Sequence, residues 1–110
     1  MMEHLKWSGA EKQVAKRAFN AALEREYAEL MHQTRERVGA MQEGDDLWRL
    51  HDFLTDQRRK IDDKYDYRYS QLVVVFARLI HEGRLSLDEL EGLHEDKLEK
   101  IRAILSLARR

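Results

Sequence analysis

The stretch DLWRLHDFLTDQR, Asp46 to Arg58, holds the residues of this chain best suited to chemistry: Trp48, His51, Asp52 and Arg58. An adjacent His and Asp ligate the metal of some phosphohydrolases, so the first chemistry to weigh is metal-assisted hydrolysis. Successive helical residues point about 100° apart, which leaves one ion poorly gripped by both. His4, His32, His81 and His94 show no pairing at three or four residues that would complete a ligand set. The 110 residues include no cysteine, which removes thiolate nucleophiles, thiolate metal sites and disulfides. No glycine-rich phosphate loop, nucleophile elbow or paired catalytic carboxylate motif is present. The sequence therefore predicts no catalytic residue, no metal, no cofactor and no small-molecule substrate.

Contact with another polypeptide suits these residue types better. At about 100° per residue, Leu47, Leu50, Leu54, Ile61 and Tyr65 share one sector of a helix, which reads as a seam within the chain. Trp48, His51, Asp52, Thr55 and Arg59 fall on the opposite side, with Arg58 and Asp62 at its edge. A tryptophan outside the seam removes a large apolar area from water once something covers it, and Trp and Arg are enriched at interface hot spots. Two covers fit: the first helix of a second copy, or a different protein. Asp52 is expected to pair with a basic group such as Arg58 or Arg59, or with a residue across a dimer.

A nucleic-acid reading starts from Arg58, Arg59 and Lys60, with Lys64 and Arg68 nearby. Asp56, Asp62, Asp63 and Asp66 are interleaved with them, so the local field nearly cancels. Tyr65, Tyr67 and Tyr69 read as packing groups rather than a stacking platform for bases. With 20 basic and 21 acidic side chains there is no global field favouring a polyanion, so neither nucleic acid nor a membrane is expected as partner. The longest apolar run, Leu72 to Ala77, is far shorter than the roughly 20 residues of a spanning helix. The start, MMEHLKW, lacks the apolar centre of a signal peptide, and the expected location is the cytoplasm.

These residues need elements to position them, and the composition favours helices: 37% charged, 43% hydrophobic and no proline. Ser8 and Glu11 form a capping box that opens a first helix. From Val14 through Ala18, Phe19, Ala22, Leu23, Tyr27, Leu30, Met31, Thr34 and Val38 to Met41, apolar positions recur at helical spacing until Gly44. That helix is about 33 residues or about 50 Å long, whereas a compact globule of this size has a radius of gyration of about 13 Å. A second helix, with Asp45 or Asp46 as N-cap and running to about Lys64, covers only part of it. The uncovered stripe predicts a homodimer through the long helices, with Leu30, Met31, Val38, Leu47 and Trp48 at the interface.

The segment KYDYRYSQLVVVFARLIHEG is predicted as a third helix ending at Gly83, because no other strand-like segment exists to pair with it. Ser86 and Glu89 cap a short fourth helix, Leu87 to about Leu93. A fifth runs from about Glu95 to Ala108 and buries Leu98, Ile101, Leu105 and Ala108. The expected fold is all-α, one domain over 1–110: a long antiparallel helical hairpin over 8–64 and a small helical head over 65–110.

The stretches DDLWRLHDFL, KIDDKYDYR, VFARLIHEG and DKLEKIRAI resemble the fluorescence recovery protein family of cyanobacteria and their relatives, from Trp7 to about Ile104. The specific part is a W-x-x-H-D-x-x-x-x-x-R pattern on Trp48, His51, Asp52 and Arg58. The resemblance implies an all-helical dimer that binds the photoactivated orange carotenoid protein, chiefly its C-terminal domain. It also implies that the chain promotes release of that protein from the phycobilisome and speeds its return to the inactive orange form. The setting would be the cytoplasm, at the phycobilisome or thylakoid surface in a cyanobacterium. Trp48, His51, Asp52 and Arg58 would then be partner-binding or dimer-supporting, Leu47 part of the dimer seam, and Lys100 a contact in the head. Val74 stands where an aromatic is expected. The alternative is a dimeric helical adaptor of the same build serving another regulatory protein in a host without phycobilisomes.

Overall fold

A computed structural model of the chain describes residues 5–108; His4 lies outside them. Helix α1 spans Gly9–Gly39 and helix α2 Gly44–Lys64, joined by a tight turn into an antiparallel hairpin. A short α3, Leu72–His81, a single 3-10 turn, Leu87–Leu90, and α4, Glu95–Ala108, follow. The described residues form no β-sheet, only an isolated bridge between Glu91 and Leu93.

Helix α1 starts as its sequence predicts. The Glu11 amide donates to Ser8 Oγ at 3.1 Å and the Ser8 amide donates to Glu11 Oε1 at 3.0 Å, which satisfies two of the amides a helix start leaves orphaned. The first half of α1 buries Val14, Ala15, Ala18, Phe19 and Ala22 beneath the head, against Leu72, Val73, Val75, Phe76, Ala77 and Leu79 of α3. Leu85, Leu90, Leu93 and Ile101 close this core, in which each fully buried aliphatic or Phe side chain contributes roughly 1.5–3 kcal/mol. Beyond Glu29, which pairs with Arg84 of the head at 3.0 Å, α2 is the element beside the helix. The molecule is accordingly elongated, 53 × 29 × 21 Å with a radius of gyration of 17.0 Å.

Three boundaries and one buried face differ from expectation. The N-cap of α2 is Glu43 rather than Asp45 or Asp46. Asp46 lies inside the first turn, where its Oδ2 accepts from the amides of Gln42 and Glu43 at 3.0 and 3.1 Å. Second, the chain from Tyr65 to Arg68 is non-helical and α3 begins only at Leu72. The alternation of tyrosines is real but serves no sheet: Tyr65 and Tyr67 meet Phe19 edge-on at 5.3 and 4.8 Å, and Tyr69 meets Trp7 at 5.6 Å. A two-residue period brings successive rings onto α1, which a helical course would turn away. Third, the element after Ser86 is the 3-10 turn and not a helix to Leu93, because Gly92 at φ +109° turns the chain back onto α1. Fourth, α4 buries Ile101 fully but leaves Leu98 and Leu105 half-buried and Ala108 exposed. Gly83, φ +80°, ends α3 as expected, with the Arg84 amide donating to Leu79 O at 2.9 Å and its own amide to Ile80 O at 3.0 Å.

Candidate protein-binding face of the hairpin

An ion-pair cluster and a cation–π contact position α2. At its C-terminal end Lys64 is buried and its Nζ donates to Glu26 of α1 and to Glu82 after α3, both at 2.7 Å. Tyr65 Oη donates to Glu26 at 2.7 Å, and Arg84 lies 3.2 Å from the same carboxylate. Burial, together with the Glu26 carboxylate it serves, pushes the Tyr65 hydroxyl far above the ordinary phenol range. Higher up the hairpin the Arg37 guanidinium lies over the Phe53 ring at 3.7 Å.

These contacts set the rotation of α2 and correct its seam. The residues withdrawn from solvent are Asp46, Leu50, Phe53, Gln57, Ile61 and Lys64. Leu50 and Ile61 belong to the expected seam; Leu47 and Leu54 do not, and they emerge on one flank. Phe53 is the seam residue that the sequence reading omitted. On α1, Tyr27, Met31 and Val38 form a similar exposed stripe, while Leu30, Thr34 and Met41 are half-covered. Each stripe is turned about 90° from its helix's inward face in the same rotational sense. Because the helices run antiparallel, both stripes come out on one side of the hairpin. Met31 is 51%, Val38 52% and Leu47 56% exposed, an apolar flank left uncovered among the described residues.

Trp48 points away from α1 and is 66% exposed. It is not part of the core of a single chain. Its ring lies edge-on to the His51 imidazole, centroids 6.5 Å apart, and His51 Nδ1 is 3.5 Å from Asp52 Oδ1. Asp52 therefore neighbours His51 rather than Arg58 or Arg59 as expected. Arg58 instead faces Asp62 at 3.9 Å, one turn on, where helical spacing makes a pair and the six-residue separation from Asp52 does not. All of these side chains are exposed, so their ion pairs are weak and the groups stay open to an incoming partner. Lys100 and Val74 are exposed in the head, on α4 and α3, and are not part of the α2 cluster.

His51 and Asp52 gather no third ligand. The one carboxylate and imidazole grouping among the described residues close enough to hold an ion is Glu11, His94 and Asp96, which sequence spacing gave no means of finding. The Lys97 ammonium already serves both of its carboxylates, 3.2 Å from Glu11 and 3.1 Å from Asp96. No helix among the described residues is long and apolar enough to cross a membrane.

Trp48, His51, Asp52 and Arg58 thus stand exposed on a firmly anchored helix, and the chain as a whole is similar to known proteins. Residues 7–105 match the family model described as photoprotection regulator fluorescence recovery protein. The chain is 43% identical over 101 residues to the fluorescence recovery protein of Synechocystis sp., covering 92% of this chain and 93% of that protein. The solved fluorescence recovery protein of Fremyella diplosiphon superposes with a TM-score of 0.84 at 51% identity, over 93% of this chain and 99% of that one. That of Synechocystis sp. PCC 6803 gives 0.84 at 43% identity, over 96% and 100%. With the match running through both the hairpin and the head, the chain belongs to the fluorescence recovery protein family of photoprotection regulators.

Proposed function

We propose that this protein acts as a homodimer that binds the photoactivated orange carotenoid protein, chiefly its C-terminal domain. It promotes detachment of that protein from the phycobilisome and accelerates its return to the inactive orange state. The observation that carries this reading is the exposed Trp48, flanked by His51, Asp52 and Arg58, on a chain that matches the family over nearly its whole length. No bond to the partner needs to be made or broken. A rigid surface that favours the arrangement of partner domains near the compact state lowers the barrier to their reassembly, because it binds that arrangement more tightly than the separated one. Lys100 supplies a further cation from the head.

The uncovered flank of the hairpin supports the dimer. Met31 and Val38 of α1 and Leu47 of α2 form its centre, with Leu30 at the inner edge and Trp48 at the outer edge. Trp48 can then serve both the seam and the partner.

The test is to mix the protein with photoactivated orange carotenoid protein and follow the loss of red absorbance in the dark. Faster recovery that depends on Trp48 is the expected result; unchanged recovery rejects the reading. A second reading, an adaptor of the same build for another regulatory protein, draws on Val74 in place of an aromatic in the head. Retention of the dimer with no effect on recovery would favour it.

A further inference from the structure

We propose that the cleft between the start of α1 and the tyrosine segment is a docking groove for an acidic, extended segment of a partner polypeptide. The cleft has a volume of about 470 Å³ and is lined by Lys12, Gln13, Lys16 and Arg17 of α1 and by Tyr67 and Tyr69. Its walls carry cations and no carboxylate.

Elsewhere many cations are matched by a carboxylate: Arg25 by Glu89, Lys64 by Glu26, Lys97 by Glu11, Arg102 by Glu95. Lys12 and Lys16 lie instead over the rings of Tyr69 and Tyr67, 5.0 and 5.8 Å from the centroids. Arg17 marks the border, since it also lines a second cleft whose other charged walls are Asp88, Glu89 and Glu91, an excess of carboxylates. The groove's attraction for anions therefore rests on Lys12 and Lys16. An ammonium held against an aromatic ring is partly shielded from water, which strengthens its interaction with an arriving carboxylate relative to one on an open surface. Gln13 offers an amide donor and acceptor suited to an extended peptide backbone.

The aromatic cluster argues for a polypeptide over single-stranded nucleic acid. Tyr67 is packed edge-on against Phe19 at 4.8 Å, Tyr69 against Trp7 at 5.6 Å, and the two tyrosines against each other at 5.7 Å. Base stacking would require this cluster to open. The groove is also remote from Trp48: Lys16 and Gly39 are about 35 Å apart along α1, and α2 begins just past Gly39. A segment bound here adds a contact separate from the hairpin face.

The probe is a fluorescein-labelled eight-residue peptide of alternating glutamate and alanine, titrated with the full chain and read by anisotropy. Its glutamine counterpart and an eight-nucleotide thymidine strand serve as comparisons. The expected result is saturable binding of the glutamate peptide, weakened by about tenfold in Lys12→Glu/Lys16→Glu, the effect of losing two modest ion pairs. Binding is expected to be unchanged in Trp48→Ala and in Arg35→Glu/Lys60→Glu, which alters net charge equally elsewhere. Circular dichroism checks folding, and Lys12→Gln/Lys16→Gln replaces the reversal should that variant unfold. No saturable binding, an equal loss in the control pair, equal affinity for the glutamine peptide, or preference for the thymidine strand each overturns the proposal.

Discussion

Lys97 and Glu11 meet 3.2 Å apart across 86 positions of sequence, and both are fully buried. The Glu11 carboxylate also accepts from the amides of Ser8 at 3.0 Å and His94 at 2.8 Å, so one side chain serves the starts of α1 and α4 together. Lys97 donates in addition to the Lys6 carbonyl. Removing either partner of such a pair leaves an uncompensated charge in the interior. Lys97→Met is expected to lose about 3–5 kcal/mol in urea unfolding. The double variant Glu11→Gln/Lys97→Met should lose clearly less than the two single losses combined, since it leaves no orphaned charge.

Acid should unfold the protein through its anchored carboxylates. Burial pushes the Glu11 carboxyl up, but hydrogen bonds from the Ser8 and His94 amides and from Lys97 outweigh it and hold it below its ordinary 4.5. Glu82 is likewise raised by burial and brought below 4.5 by Lys64 and Arg78, while the Arg25 guanidinium lowers Glu89. A carboxyl depressed in the folded state binds its proton more readily when unfolded. Its stabilisation is therefore present above the unfolded value and is lost as pH falls through the folded one. Stability should be level near neutrality and decline below about pH 4.5, and Glu11→Gln should flatten that decline while lowering stability at pH 7.

Gly92 is held where a side chain has no room. At φ +109° an added Cβ would meet Val14 Cγ2 at 2.8 Å, at the point where the chain turns back onto α1. Gly92→Ala should cost about 1–3 kcal/mol from backbone strain alone. Gly39, at the end of α1, faces open space, and Gly39→Ala should stabilise by about 0.4–1 kcal/mol. Thermal or denaturant melts of the two variants should move in opposite directions.

What the sequence made legible is what depends on near neighbours. The capping boxes at Ser8 and Ser86 operate over three residues, and the glycine that ends α3 acts within one turn. The long stripe of α1 needed only helical periodicity. Rotation of α2 was not legible, because its apolar residues form two adjoining stripes, one through Leu50, Phe53 and Ile61 and one through Leu47 and Leu54. Periodicity cannot say which of them faces α1. That choice is made by Arg37 on Phe53 and by Lys64 on Glu26, contacts whose partners sit on another helix. The same holds for Glu11 and Lys97, and for the tyrosine segment, whose extended course is settled by Phe19 and Trp7. Trp48 was legible as an outward residue on either choice of stripe.

The apolar flank predicts the assembly. Met31→Glu places a charge in the middle of the apolar flank, and burying it unpaired between two copies is prohibitive. Met31 is half exposed and makes little of the core, so the isolated chain should fold with its helical content intact. Light scattering across a dilution series should report a monomer for Met31→Glu and a dimer for the parent. A parent that remains monomeric at high concentration, or a dimeric variant, removes the proposed seam.

Trp48 separates recognition from stability. Because its ring is mostly in water in the single chain, Trp48→Ala removes little packing there, and the melting of the monomeric Met31→Glu background should change by no more than about 0.5 kcal/mol. At an interface the same truncation costs about 2 kcal/mol or more when the ring is a hot spot, a fall of about thirtyfold in affinity. Binding to the photoactivated orange carotenoid protein, measured by titration calorimetry, should therefore weaken strongly in Trp48→Ala while folding is kept. Since the ring also borders the dimer seam, the dimerisation constant of Trp48→Ala must be measured beside it. Weakening of partner binding that exceeds any loss of dimer assigns the indole to the partner. Weakening that matches the loss of dimer assigns it to the second copy.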